Sequence, residues 1–94
     1  MKHIIWYLIV GTRGGETRGR IISYLRKTPA NANKITSALA IDYKTARHHL
    51  GILEENRILM AVNKGKYGAV YFLTPEFEKD YDVFGGIWVG FGKK

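Results

Sequence analysis

The arrangement that most constrains this chain is a pair of helical apolar patterns separated by only Ile41-Asp42. On the N-terminal side, Ile35 and Leu39 stand four residues apart, one face of a short helix that should end near Ala40. Pro29 blocks continuation from upstream. Asn31 or Asn33 can cap this helix, because a short side-chain amide accepts from the free backbone donors of the first turn. On the C-terminal side, Asp42 is a good N-cap, and the pattern restarts at once in a helix from Tyr43 to about Asn56. Its inner face reads Ala46, His49 or Leu50, and Leu53; its outer face reads Lys44, Arg47, His48 and Gly51. Two helices joined by so tight a turn predict a helix-turn-helix.

The flanks extend the pattern. From Glu16 to Lys27, Ile21, Ile22 and Leu25 recur at three- and four-residue spacing, leaving Arg18, Arg20 and Arg26 to solvent. Downstream the period changes. Ile58 to Asn63 and Ala69 to Leu73 suit strands, and Lys64-Gly65-Lys66-Tyr67-Gly68 between them supplies the glycines of a hairpin loop. A hairpin directly after a helix-turn-helix is a wing. The expected architecture is α+β: a winged helix-turn-helix with a three-helix core and a β-hairpin wing.

Thr74-Pro75-Glu76 then reads as a helix start, with a hydroxyl cap, proline in the first turn and an acid near the positive helix end. Phe77, Tyr81 and Phe84 would line one side of that helix, and Gly85-Gly86 should stop it. The chain is expected to form one domain over residues 1–94: an apolar segment and loop (1–15), a core with its wing (16–73), and a C-terminal helix and tail (74–94). Residues 4–10 are uninterruptedly apolar but fall far short of the roughly 20 residues a membrane span needs, and they read as buried structure. Arg13-Gly14-Gly15 reads as a connector.

Charge indicates the partner. The 94 residues carry a formal net charge of +7, which draws a small domain toward polyanions. Between Arg13 and Lys66, eleven Lys or Arg face four acids, whereas from Pro75 onward four acids face three lysines. The positive field therefore belongs to the middle of the chain. The absence of cysteine excludes disulfides, thiolate metal sites and cysteine nucleophiles, and it suits a reducing cytosol.

Enzymatic chemistry finds no footing. There is no phosphate-binding glycine loop ending in Gly-Lys-Ser/Thr, no serine elbow and no acid pair of obvious geometry. His48 and His49 are adjacent on a helix and point about 100° apart, so they cannot readily share one ion. No cofactor, metal or membrane is expected.

The stretch Ile35 to Leu59, with Ile35 and Leu39 before the turn and His49-Leu50 with Leu53 after it, resembles the ArsR-like winged-helix repressors, particularly short archaeal relatives. The resemblance spans roughly Glu16 to Leu73. It implies a transcriptional regulator whose second helix reads DNA and whose terminal helices pair two subunits. Three departures stand out. Arg57 occupies the place of a helix-closing glycine, so Asn56 is expected to take the left-handed turn instead. The cysteines of the metal-sensing members are missing, which rules out thiolate metal sensing. Gly51 interrupts the recognition helix at a cost of about 1 kcal/mol relative to alanine.

On this reading the partner is double-stranded DNA. Arg47 can donate two hydrogen bonds to a guanine, and Lys44 can reach a guanine or a phosphate. Tyr43, Thr45 and His48 complete the groove-facing set. Lys64 and Lys66 at the hairpin tip would hold the flanking backbone or minor groove, and Asn33, Lys34 and Thr36 could offer donors to a phosphate. Arg18 and Arg20 either touch DNA or are merely exposed. Ile5, Trp6, Ile9, Phe77, Tyr81, Phe84 and Trp88 exceed the needs of a trihelical core and are expected to form a homodimer interface. Whether residues 3–10 form a helix or a strand stays open, since the resemblance implies a helix and the β-branched content a strand. The expected function is sequence-specific transcriptional regulation in the cytoplasm, at the nucleoid. The alternatives are a sequence-tolerant architectural DNA-binding protein and a winged-helix protein-interaction module.

Overall fold

A computed structural model describes residues 1–63 and 68–92. Helix α1 (Lys2–Trp6) runs directly into a π-helical turn (Tyr7–Gly11), which resolves the opening segment as helix. Helix α2 (Gly15–Lys27) follows, then the short strand β1 (Ala30–Asn31), helix α3 (Ala32–Leu39) and helix α4 (Tyr43–Glu55). Strands β2 (Leu59–Val62) and β3 (Val70–Leu73) precede helices α5 (Pro75–Lys79) and α6 (Tyr81–Gly92).

The starts of α3, α4 and α5 are each set by a side chain. Asn31 Oδ1 accepts from the Lys34 amide at 2.8 Å, Asp42 Oδ2 from the Thr45 amide at 3.1 Å, and Thr74 Oγ1 from the Phe77 amide at 3.0 Å. Such caps satisfy backbone donors that have no partner inside the helix, each worth typically about 1 kcal/mol. Between α3 and α4, Ala40 takes a left-handed conformation (φ 57°), and the Ile41 amide returns to the Thr36 carbonyl at 3.2 Å. That reversal gives the tight helix-turn-helix.

The sheet is antiparallel with order β1-β3-β2. The hairpin pairs Leu59 with Leu73 and Val62 with Val70, while Ala30 and Asn31 pair with Tyr71 and Val70 across the other edge of β3. The core lies where the helices meet this sheet. Ile21, Ile22, Ile35, Leu50, Leu53, Ile58 and Leu59 are fully buried, and Ile5, Ile9, Phe77 and Phe84 bring the terminal helices into the same cluster.

Two close approaches position the termini against α2. A Cβ on Gly15 would sit 1.7 Å from the Ile9 carbonyl oxygen, so only glycine lets the first turn of α2 touch the end of the π-helical turn. On the next turn, the Trp88 ring of α6 lies on Gly19, where a Cβ would be 2.2 Å from Cζ3. The glycines near residue 15 thus do more than connect.

Two expectations are corrected. Arg57 itself takes the left-handed conformation (φ 62°), while Asn56 stays near the bridge region at φ −96°. The Ile58 amide bonds back to the Leu53 carbonyl at 2.9 Å, a closure that needs the positive φ at residue 57. Gly85-Gly86 does not stop the last helix. The break falls earlier, at Asp80, and α6 continues through both glycines because Phe84, Ile87, Trp88 and Phe91 have an apolar surface to cover. Tertiary burial here outweighs intrinsic propensity.

Arg57 is exposed, and its backbone makes the structural bonds: the amide donates to the Glu54 carbonyl at 3.1 Å, and the carbonyl accepts from Thr74 Oγ1 at 2.7 Å. Arg57→Gly should therefore relieve left-handed strain and raise unfolding stability by up to about 1 kcal/mol. A thermal melt of the two proteins checks this, and an unchanged or lower midpoint would contradict it.

Candidate nucleic-acid interface

Helix α4 is divided along its length. Ala46, His49, Leu50 and Leu53 are buried, whereas Tyr43, Lys44, Thr45, Arg47, His48 and Gly51 are exposed. The inner face holds the helix rigidly, and the outer face presents two cations, a hydroxyl, an imidazole and a phenol at its N-terminal end. Asp42, the nearest acid to that end, is engaged as the cap and also accepts from Thr45 Oγ1 at 3.4 Å. Gly51 has open space where a Cβ would stand, so packing within this chain does not require glycine there.

Arg47 is not a free surface arginine. Its Nη1 donates to the Tyr71 hydroxyl at 2.8 Å, a link from α4 to the middle of β3. The expectations from the sequence did not include Tyr71. The period-two alternation of β3 places it with Leu73 on the inward face, but the partner of its hydroxyl depends on register.

In α3, Asn33 and Lys34 are exposed at the first turn, and the Lys34 amide is already bonded to Asn31. Thr36 is half-buried, and its hydroxyl donates to the Asn33 carbonyl at 2.7 Å. Its donor proton is thus engaged within the helix. Lys64 and Lys66 lie outside the described residues.

Arg18 is the principal correction. It is only 3% exposed, so it is neither a DNA contact nor a solvated residue. The signal was in its spacing: Arg18 stands three, four and seven residues before Ile21, Ile22 and Leu25, on the buried stripe of α2. Its Nε donates to the Leu8 carbonyl at 2.9 Å, and its Nη2 donates to the Arg13 carbonyl at 2.8 Å and to Thr12 Oγ1. Nη1 donates to His49 Nδ1 at 3.0 Å. Arg20, also undecided from sequence, donates from Nη2 to the Leu39 carbonyl at 2.7 Å and thereby ties α2 to the end of α3.

Because a guanidinium can only donate, His49 accepts on Nδ1 and carries its proton on Nε2. Burial, then the charges of Arg18 and His48, hold this imidazole below its ordinary value of 6.5. His48 points outward beside it, the rings edge to face with centroids 5.1 Å apart. The histidine pair is thus divided between the interior and the surface. Among the described residues no three His, Asp or Glu side chains converge as a metal site, and cysteine is absent, so the thiolate metal site of the metal-sensing relatives does not fit this chain. No helix among the described residues is long and apolar enough to cross a membrane.

The expected dimer residues separate into two groups. Ile5, Ile9, Phe77 and Phe84 are at most 1% exposed within the single chain, where they complete its own core, and no partner can touch them in this conformation. Trp6 is 51% exposed, while Tyr81 and Trp88 are half-buried.

A helix-turn-helix with a basic outer face and a sheet behind it defines a DNA-binding transcriptional regulator of the winged-helix class. The family model described as bacterial regulatory protein, arsR family, matches residues 15–61, half of the chain, and the chain belongs to that family. That membership places it among regulatory proteins rather than enzymes. No curated protein matches it. Among solved structures, the diamide-treated transcriptional regulator YodB of B. subtilis matches with a TM-score of 0.72 and 25% identity, over 95% of this chain and 86% of that one. The PcaV transcriptional regulator of Streptomyces coelicolor, in complex with its natural ligand, matches with a TM-score of 0.74 and 14% identity, over 96% and 66%. The apo-Zalpha of zebrafish PKZ matches with a TM-score of 0.62 and 22% identity, over 67% and 98%. The last two likenesses establish a common fold.

The burial of His49 beside Arg18 makes stability depend on pH. A base whose pKa is depressed by folding favours the native state most when neutral, so its contribution is complete above about pH 6.5 and falls as pH drops through the lowered value. His49→Asn, whose Oδ1 can replace Nδ1 as acceptor but does not titrate, should flatten the stability profile between pH 8 and 5. Parallel profiles for the two proteins would remove His49 from the acid response.

Proposed function

We propose that this regulator reads specific sequences in duplex DNA as a homodimer, with the N-terminal turns of α4 in the major groove. The observation that carries the reading is the divided surface of α4, which keeps Tyr43, Lys44, Thr45, Arg47 and His48 exposed on a helix fixed from behind. Varied chemistry at these positions suits base edges, whereas coating phosphates alone needs only cations. Lys44 serves a phosphate or a guanine, and Arg47 reads a guanine through paired donors. Asn33 and Lys34 approach the backbone from the start of α3. Lys64 and Lys66 contact the flanking backbone from the wing.

A second copy is required because one small domain covers few bases, and two half-sites multiply discrimination. Trp6, Tyr7, Val10 and Val89 are large apolar side chains left exposed on α1, the π-helical turn and α6, and they support a dimer through the terminal helices. Trp6, Tyr81 and Trp88 are the interface residues on this reading.

The decisive experiment measures fluorescence anisotropy on a random-sequence duplex pool across a salt series, then selects and sequences what stays bound. An enriched inverted repeat is the expected result. Steep salt dependence without an enriched motif would instead establish sequence-tolerant binding, and no binding at low salt would overturn the DNA reading. On the selected site, Arg47→Ala should lose discrimination at one base position by about 1–3 kcal/mol. Equal weakening on every sequence would make Arg47 a phosphate contact.

A further inference from the structure

Tyr71 occupies an unusual place for a hydroxyl that meets the outer face of a helix. It lies on the central strand, opposite Ala30 of β1 and Ala61 of β2. Directly opposed residues project from the same side of an antiparallel sheet, so the phenol ring is flanked across both ladders by single methyl groups. Small neighbours leave room for a large ring, and Tyr71 is only 5% exposed. Sheet pairing on two sides and burial fix its position, and its hydroxyl accepts from Arg47 Nη1 at 2.8 Å.

The consequence falls on Arg47. An exposed arginine samples many rotamers, and each must be given up before its planar fork can meet a base. Here one corner of the guanidinium is already held by a rigid acceptor on another element. A single hydrogen bond engages one of five N–H donors, which leaves a donor pair on the remaining edges for a two-point contact.

We propose that Tyr71 is a positioning residue for base recognition: its hydroxyl aims the Arg47 guanidinium so that a free edge meets the O6 and N7 acceptors of a guanine in the major groove. This rests on the reading of α4 as the recognition helix. Tyr71 touches no DNA itself. It sets specificity through Arg47, and it makes the sheet behind the wing part of the reading head.

Tyr71→Phe tests this, since it keeps the ring and removes only the oxygen. Binding is measured to the selected site and to variants changed at each guanine, alongside Arg47→Ala and the double variant. Tyr71→Phe should reduce discrimination by roughly three- to tenfold at one guanine, the value of one hydrogen bond. The affected guanine should be the one at which Arg47→Ala loses discrimination. The salt dependence should stay unchanged, and the double variant should be no worse than Arg47→Ala alone. Full discrimination in Tyr71→Phe, with loss in Arg47→Ala, overturns the positioning role and leaves the recognition reading intact. Uniform weakening by Arg47→Ala makes Arg47 a phosphate contact and overturns the positioning role, whereas the absence of any enriched motif overturns the recognition reading. The wild-type protein supplies a check that does not depend on the folding of any variant. Nuclear magnetic resonance should show slow rotation of the Arg47 guanidinium, with distinct Nη1 and Nη2 signals. Rapid averaging there would also overturn the proposal.

Discussion

A buried guanidinium holds together parts of this chain that are distant in sequence. Arg18 has Leu8 of the π-helical turn on one side, the loop at Thr12 and Arg13 on another, and His49 of α4 on a third. None of these acceptors is a carboxylate. Burying a charge costs several kcal/mol, and here the cost is offset by the Leu8 and Arg13 carbonyls, the Thr12 hydroxyl and His49 Nδ1, which accept its donors. The buried Leu8 carbonyl gains a charged donor in the same contact. Gly15 makes the meeting possible by letting α2 approach the Ile9 carbonyl. The N-terminal segment is consequently a structural partner of α4 rather than a separate arm.

The features legible in the sequence were those set by local chemistry. Asp42 and Thr74 cap the helices they were expected to cap, and of the two candidate asparagines it is Asn31 that accepts the bond. The hairpin strands and the outward face of α4 followed from their periods. What escaped depends on contacts made after folding. Strand β1 has two residues, and its existence is decided by β3. The burial of Arg18 was visible in its spacing, but charge suggested solvent, and only the carbonyl cluster explains the outcome. Arg57 adopts the left-handed turn because the backbone there must close on Leu53, whatever side chain stands at that position.

The candidate site divides similarly. Periodicity placed Lys44, Arg47 and His48 on one face of α4, since that face is a property of a single helix. The bond from Arg47 to Tyr71 joins residues 24 apart, and it requires the register of a central strand between two alanines. A reading of one element at a time cannot find such a pair. The candidate DNA-binding surface is therefore continuous with the interior, because the exposed Arg47 side chain is bonded to the buried Tyr71.

The last helix carries a different consequence. Gly85, Gly86 and Gly90 have open space around them, so α6 bears roughly 3 kcal/mol of unfavourable propensity relative to alanine with no steric need for it. The offsetting contribution is the row of rings, Phe84 on Trp88 and Trp88 on Phe91, with Trp88 laid against Gly19. A helix of this composition has no independent existence in water. Its hydrogen bonds and its aromatic contacts must be gained and lost as one cooperative unit, a foldon whose opening leaves coil rather than a detached helix. Secondary structure at the C-terminal end is thus a readout of whether Trp88 is seated.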